Sequence, residues 1–140
     1  MDRRRFEALV EEAFQSIPRR FRSRLHNVAI VVEDEPSADD RRLAGVASGN
    51  DLLGLYHGVP LPKRDWTRAV PYPDRISIYQ RPIERAAADG ERLEDLIADT
   101  LWHEVGHYFG LNEAEVRRID RQRAQRRRAA QRMQARRRQP

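Results

Sequence analysis

The stretch His103-Glu-Val-Gly-His107-Tyr-Phe-Gly110-Leu-Asn-Glu113 limits the fold more than any other part of this 140-residue chain. An α-helix turns about 100° per residue, so side chains four apart stack on one face. His103 and His107 therefore meet at one point only if the backbone between them is helical. Neutral imidazole carries a free lone pair and is a good zinc ligand. Glu104, beside the first histidine, is placed to take a proton from water at such a cation. Gly110 follows His107 by three residues, and glycine readily takes the left-handed conformation that ends a helix. A chain turned there swings Glu113 back towards the two rings. The spacing thus nominates His103, His107 and Glu113 as ligands of Zn²⁺, with Glu104 as general base. Glu115 is the alternative third ligand. Asp99, one turn before His103, is a candidate to orient its ring.

This string resembles the small bacterial zincin-like metallopeptidases. The likeness extends back through Asn27 to Pro36, Leu52 to Pro60 and Pro73 to Tyr79, and reaches to about Val116. It does not include the arginine-rich end. The resemblance implies a compact zincin-like fold and zinc-dependent peptide hydrolysis, without naming a substrate. It departs from the metzincin branch at two places. Glu113 stands where those enzymes carry a third His or Asp, and the methionine of their Met-turn has no counterpart, since Met133 lies in the basic tail.

The remaining pattern predicts an α+β chain. Phe6, Leu9, Val10, Ala13, Phe14 and Ile17 recur at helical spacing before Pro18, with Asp2 as a candidate cap. Val28 to Val32 is β-branched and apolar on both faces, as a buried strand is. Glu33 to Arg42 reads as a surface loop, and Ala44 to Asp51 as a flexible segment. Leu52 to Val59 reads as a short extended strand beside the metal, where a zincin pairs with its substrate backbone. Tyr56 or His57 on it are candidate oxyanion donors. Pro60 to Pro73, with four prolines and Trp66, is a long loop suited to wall a cleft. Arg75 to Gln80 alternates, with Ile76 and Ile78 inward, and a short helix starts near Pro82. The central helix begins at Asp89 and buries Leu93, Ile97, Leu101, Val105 and Tyr108. Gly106 is costly inside a helix, by about 1 kcal/mol, so it implies close approach of a strand or of substrate.

A small β-sheet packed on the N-terminal helix and the central helix follows from these elements, ending in a C-terminal basic helix or tail. Residues 1–116 form the metallopeptidase domain and 117–140 the arginine-rich end. That end carries eleven arginines against one aspartate, a net +10; residues 1–116 carry 16 basic and 21 acidic side chains, a net −5. The whole positive excess sits in the last 24 residues, a charge pattern suited to nucleic acid or an acidic partner. The alternative function is therefore a metal-dependent ribonuclease or an RNA-associated metal-binding module. Small ribonucleases with paired helical histidines use a third histidine and lack the glutamate after the first, so Glu104 favours peptide hydrolysis. With no cysteine, disulfides and thiolate metal sites are excluded. The acidic residues near the N-terminus interrupt any signal peptide, and no apolar run spans a bilayer. A cytoplasmic protein with a peptide or protein substrate is the expectation.

Overall fold

The computed structural model describes residues 1–46, 50–58, 74–88 and 92–138. The expected proline-rich loop of residues 60–73 lies outside the described residues, and the central helix expected from Asp89 starts instead at Leu93, because Arg92 is extended at its cap. In chain order the elements are α1 (Arg3–Ser16), α2 (Arg19–Arg22), β1 (Val28–Glu33), α3 (Ala38–Ala44), β2 (Gly54–His57), β3 (Asp74–Tyr79), α4 (Gln80–Ala87), α5 (Leu93–Tyr108) and α6 (Glu113–Arg137). The architecture is α+β, as the sequence pattern predicts.

The three strands run β1-β3-β2, with β1 parallel and β2 antiparallel to β3. Central position decides burial. Ile76 and Ile78 on β3 are fully buried, and so are Ser77 and Tyr79 on its other face. The alternation read from sequence is thus that of a strand covered on both sides. β1 is an edge strand, half-buried with Ala29 exposed, which corrects the expectation of a strand buried on both faces. β-Branched composition alone does not distinguish an edge from a centre.

α1 and α5 cover one face of the sheet. Phe6, Leu9, Val10, Ala13 and Ile17 meet Ile76, Ile78, Ile97, Leu101 and Val105 in a single core. Asp2 stands at the cap of α1, but its side chain makes no capping bond. On the other face the Tyr79 hydroxyl donates to Asp40 of α3 at 2.9 Å. This helix replaces the expected surface loop. Ser37 caps it by accepting from Asp40 N at 3.0 Å, acidic residues fill its first turn, and Gly45 closes it in the left-handed conformation.

α6 runs unbroken from Glu113 to Arg137. It packs on α5 because Gly106 has no side chain: a Cβ there would stand 3.0 Å from Val116. The close approach expected at Gly106 is therefore that of a helix. Arg123 and Arg127 of α6 then reach back to α5, with Arg127 pairing Asp99 at 2.8 Å and Arg123 stacking over Trp102 at 4.9 Å. Among the described residues no helix is long and apolar enough to cross a membrane.

Candidate metal centre

The end of α5 sets the site geometry. Gly110 adopts φ 82°, its N–H donates to His107 O at 2.9 Å, and Leu111 N donates to Gly106 O at 3.0 Å. These two bonds close a Schellman turn. Two residues later Asn112 caps α6 by accepting from Glu115 N, while the Glu115 carboxylate accepts from Asn112 N. This reciprocal pair occupies Glu115, the alternative ligand, in holding the helix start. Glu113 is left free to turn towards α5. Its Oε1 stands 2.9 Å from His107 Nε2 and 3.7 Å from His103 Nε2.

The orientation of His103 is fixed from the far side. Its Nδ1 lies 3.3 Å from Asp120 Oδ2, one helical stretch along α6. An acceptor at Nδ1 calls for the proton there, so the Nε2 lone pair faces the Glu113 oxygen. Asp99, nominated from sequence for this role, instead binds Arg123 and Arg127. Sequence reasoning missed Asp120, which is brought to His103 only by the packing of α6 on α5.

Glu104 points inward beneath the histidines and is almost wholly buried. Its Oε1 accepts from Tyr56 N of β2 at 3.1 Å. Burial raises its pKa above the usual carboxylate value, opposed by His103, His107 and the Tyr56 amide. β2 comes this close because Gly54 lacks a side chain, since a Cβ there would lie 2.8 Å from Thr100 Cγ2 and 3.4 Å from Glu104 Cγ. The strand expected over Leu52 to Val59 is found at Gly54–His57, an edge of the sheet among the described residues and against the metal candidates. Its two proposed oxyanion donors are engaged elsewhere. The Tyr56 hydroxyl donates to Asp74, and the His57 ring sits 3.2 Å from Arg75.

A cleft of about 570 Å³ opens over these groups, lined by Gly54, Tyr56, His103, Glu104, His107 and Glu113. Within it His103, Glu104 and His107 each offer a ligand atom within 4.8 Å of the others. Tetrahedral zinc with N and O ligands at 2.0–2.2 Å needs them about 3.4 Å apart. The Glu113 distances to the two imidazoles, 2.9 and 3.7 Å, bracket that value. The donor set therefore fits a metal ion of the zinc type.

Comparison with known proteins accords with this geometry. No curated protein matches the chain significantly. A conserved hypothetical protein from T. thermophilus shares the fold at a TM-score of 0.55 and 22% identity, over 78% of this chain and 94% of that one. The zincin-like metallopeptidase family matches residues 25–123, a span that holds the sheet, the histidine helix, Glu113 and Asp120. The chain belongs to the zincin-like metallopeptidase family.

Proposed function

We propose that the protein is a zinc-dependent peptidase in which His103, His107 and Glu113 hold the ion and Glu104 is the general base. The observation that carries this reading is the convergence of Glu113 Oε1 on both Nε2 atoms at the mouth of a cleft, with a buried carboxylate directly behind. When bound, zinc supplies a Lewis acid that polarises the scissile carbonyl and acidifies water. The chain's own groups do the rest. Glu104 receives the proton from water. Its raised affinity for a proton suits it to that task and to passing the proton on to the leaving amine. The Tyr56 amide keeps the carboxylate aimed at the cleft. Asp120 keeps the His103 Nε2 lone pair turned towards Glu113.

Substrate backbone has a berth along β2. Leu53 O accepts from Tyr79 N inside the sheet, while Tyr56 N points out to Glu104. Main-chain groups alternate along a strand, so those of Gly54 face the cleft in step with Tyr56. An extended peptide laid there gains backbone hydrogen bonds at the sheet edge. The test is a Glu104→Gln variant assayed for zinc content and for cleavage of an unfolded protein substrate. The expected result is full zinc occupancy with cleavage reduced at least about a hundredfold, the lower range for losing a general base. Unchanged cleavage refutes the mechanism.

A further inference from the structure

The arginines of α6 divide into two groups. Arg123 and Arg127 are half-buried against Asp95, Asp99 and Trp102 and anchor the helix. The other eight, from Arg117 to Arg137, are exposed. At about 100° per residue, Arg117, Arg121, Arg128 and Arg132 fall within about 60° of one another around the axis, with Arg118 and Arg136 beside them on one side. This stripe lies on the side away from Val116, Asp120, Arg123 and Arg127, which face the body. It runs about 28 Å along the helix.

A merely solvated helix face usually interleaves acids and bases, because pairs of opposite sign four apart support the helix and pairs of like sign weaken it. Here Arg117 and Arg121, Arg128 and Arg132, and Arg132 and Arg136 are all like-charged pairs at that spacing. No acidic residue follows Asp120. The helix thus carries a self-repulsion that a polyanion would relieve. An anionic membrane is disfavoured, since an interfacial helix needs an apolar face, and Met133 is the one large exposed hydrophobic side chain on α6. From Arg128 to Arg138 every residue is exposed, and Arg126, Arg128, Arg132, Arg136 and Arg137 spread over about half the circumference. That distribution suits two flanking rows of phosphates better than one flat acidic patch.

We propose that the outer half of α6 is an arm that binds duplex DNA by lying in the major groove, with Arg128, Arg132 and Arg136 on one row of phosphates and Arg126 and Arg137 on the other. A helix is about 10–12 Å across with its side chains, and the B-form major groove is about 12 Å wide. The A-form groove of RNA is too deep and narrow for this fit. Contacts to phosphate carry no sequence information, so binding is non-specific. The anchoring pairs on Asp95 and Asp99 hold the arm in place without spending its exposed arginines.

The test uses the full chain and a labelled duplex of about 20 base pairs, read by anisotropy across about 50–300 mM salt. A triple variant, Arg128→Gln with Arg132→Gln and Arg136→Gln, is compared with Arg19→Gln, Arg20→Gln and Arg24→Gln, which removes equal charge from exposed sites on the body. Circular dichroism confirms that α6 stays helical in both. In the arm variant affinity should fall at least about tenfold, and the slope of log affinity against log salt should shrink by about 2–3. The body variant should bind like the wild type. Absence of wild-type binding at low salt, or an equal loss in the body variant, overturns the proposal. Tighter binding of polyglutamate or of double-stranded RNA than of DNA overturns the choice of partner.

Discussion

Replacing Asp120 with Asn tests whether α6 positions the metal candidates or merely packs beside them. The contact at stake is Asp120 Oδ2 to His103 Nδ1 at 3.3 Å. Losing the carboxylate partner of a ligating histidine typically costs 10–100-fold in metal affinity. The contact is long and the Asp120 side chain is 35% exposed, so the low end applies: about tenfold, or about 1.4 kcal/mol. Asn preserves the shape, so the effect isolates charge and acceptor strength. The companion variant is Asp99→Asn, which loosens Arg123 and Arg127 but touches neither histidine. Zinc affinity is measured by competition with a chelator of known strength, alongside urea unfolding. Asp120→Asn should weaken zinc binding about tenfold, and Asp99→Asn by much less. The reverse order would mean that the role assigned to Asp120 belongs to Asp99, and the geometric argument fails.

Gly110→Ala forces a side chain into φ 82°; the fold should lose about 1–2 kcal/mol, visible as a lower urea midpoint, and zinc should bind more weakly because Glu113 hangs from that turn. Gly54→Ala places a methyl 2.8 Å from Thr100 Cγ2, so β2 must retreat from α5 at a cost of about 1–3 kcal/mol; cleavage should fall while zinc content holds, and unchanged cleavage would show that the Tyr56 amide is not needed to aim Glu104. His57 has its pKa lowered, first by burial and then by Arg75, against the pull of Asp40 and Glu33. A depressed folded pKa means that the unfolded chain takes up the proton first. This contribution to stability is present above about pH 6.5 and is lost as pH falls through the folded value. Unfolding midpoints across that window should fall less steeply in a His57→Gln variant.

How much of this was legible beforehand follows from where each signal lies. The His103–Glu113 segment is local, and helix periodicity plus one left-handed glycine suffices to place three of its side chains. Glu115 was legible too: Asn112 and Glu115 have the spacing of a capping box, and reading it would have freed Glu113 from its rival. α3 lacks an apolar stripe, and none of its residues is buried, so a search by hydrophobic period passes over it. Its Ser37 cap and Gly45 stop were the available signals. Sheet order is not local at all. β1 and β3 are both rich in β-branched residues, and only the pairing order makes one an edge and the other a centre. Asp120 is seventeen residues from His103. Nothing in either segment alone says that they meet; Gly106 and Val116 bring them together.

Charge balance explains why the fold tolerates such a site. Glu104, Glu113 and Asp120 put three carboxylates around two imidazoles. Burial works against the Glu104 charge, and Glu113 adds to the penalty. The His103 lone pair, set by Asp120, faces another acceptor on Glu113 at 3.7 Å. Two acceptors turned towards each other repel unless a proton or a cation lies between them. A divalent ion held by these groups would offset the repulsion among them, whereas a proton on a single ring offsets only part. These carboxylates and imidazoles therefore serve the proposed metal site at a cost to the fold. The hydrophobic core of α1, β3 and the buried face of α5, with the Tyr108 hydroxyl on Arg24 O and the Asp99–Arg127 pair, holds α5 against that cost.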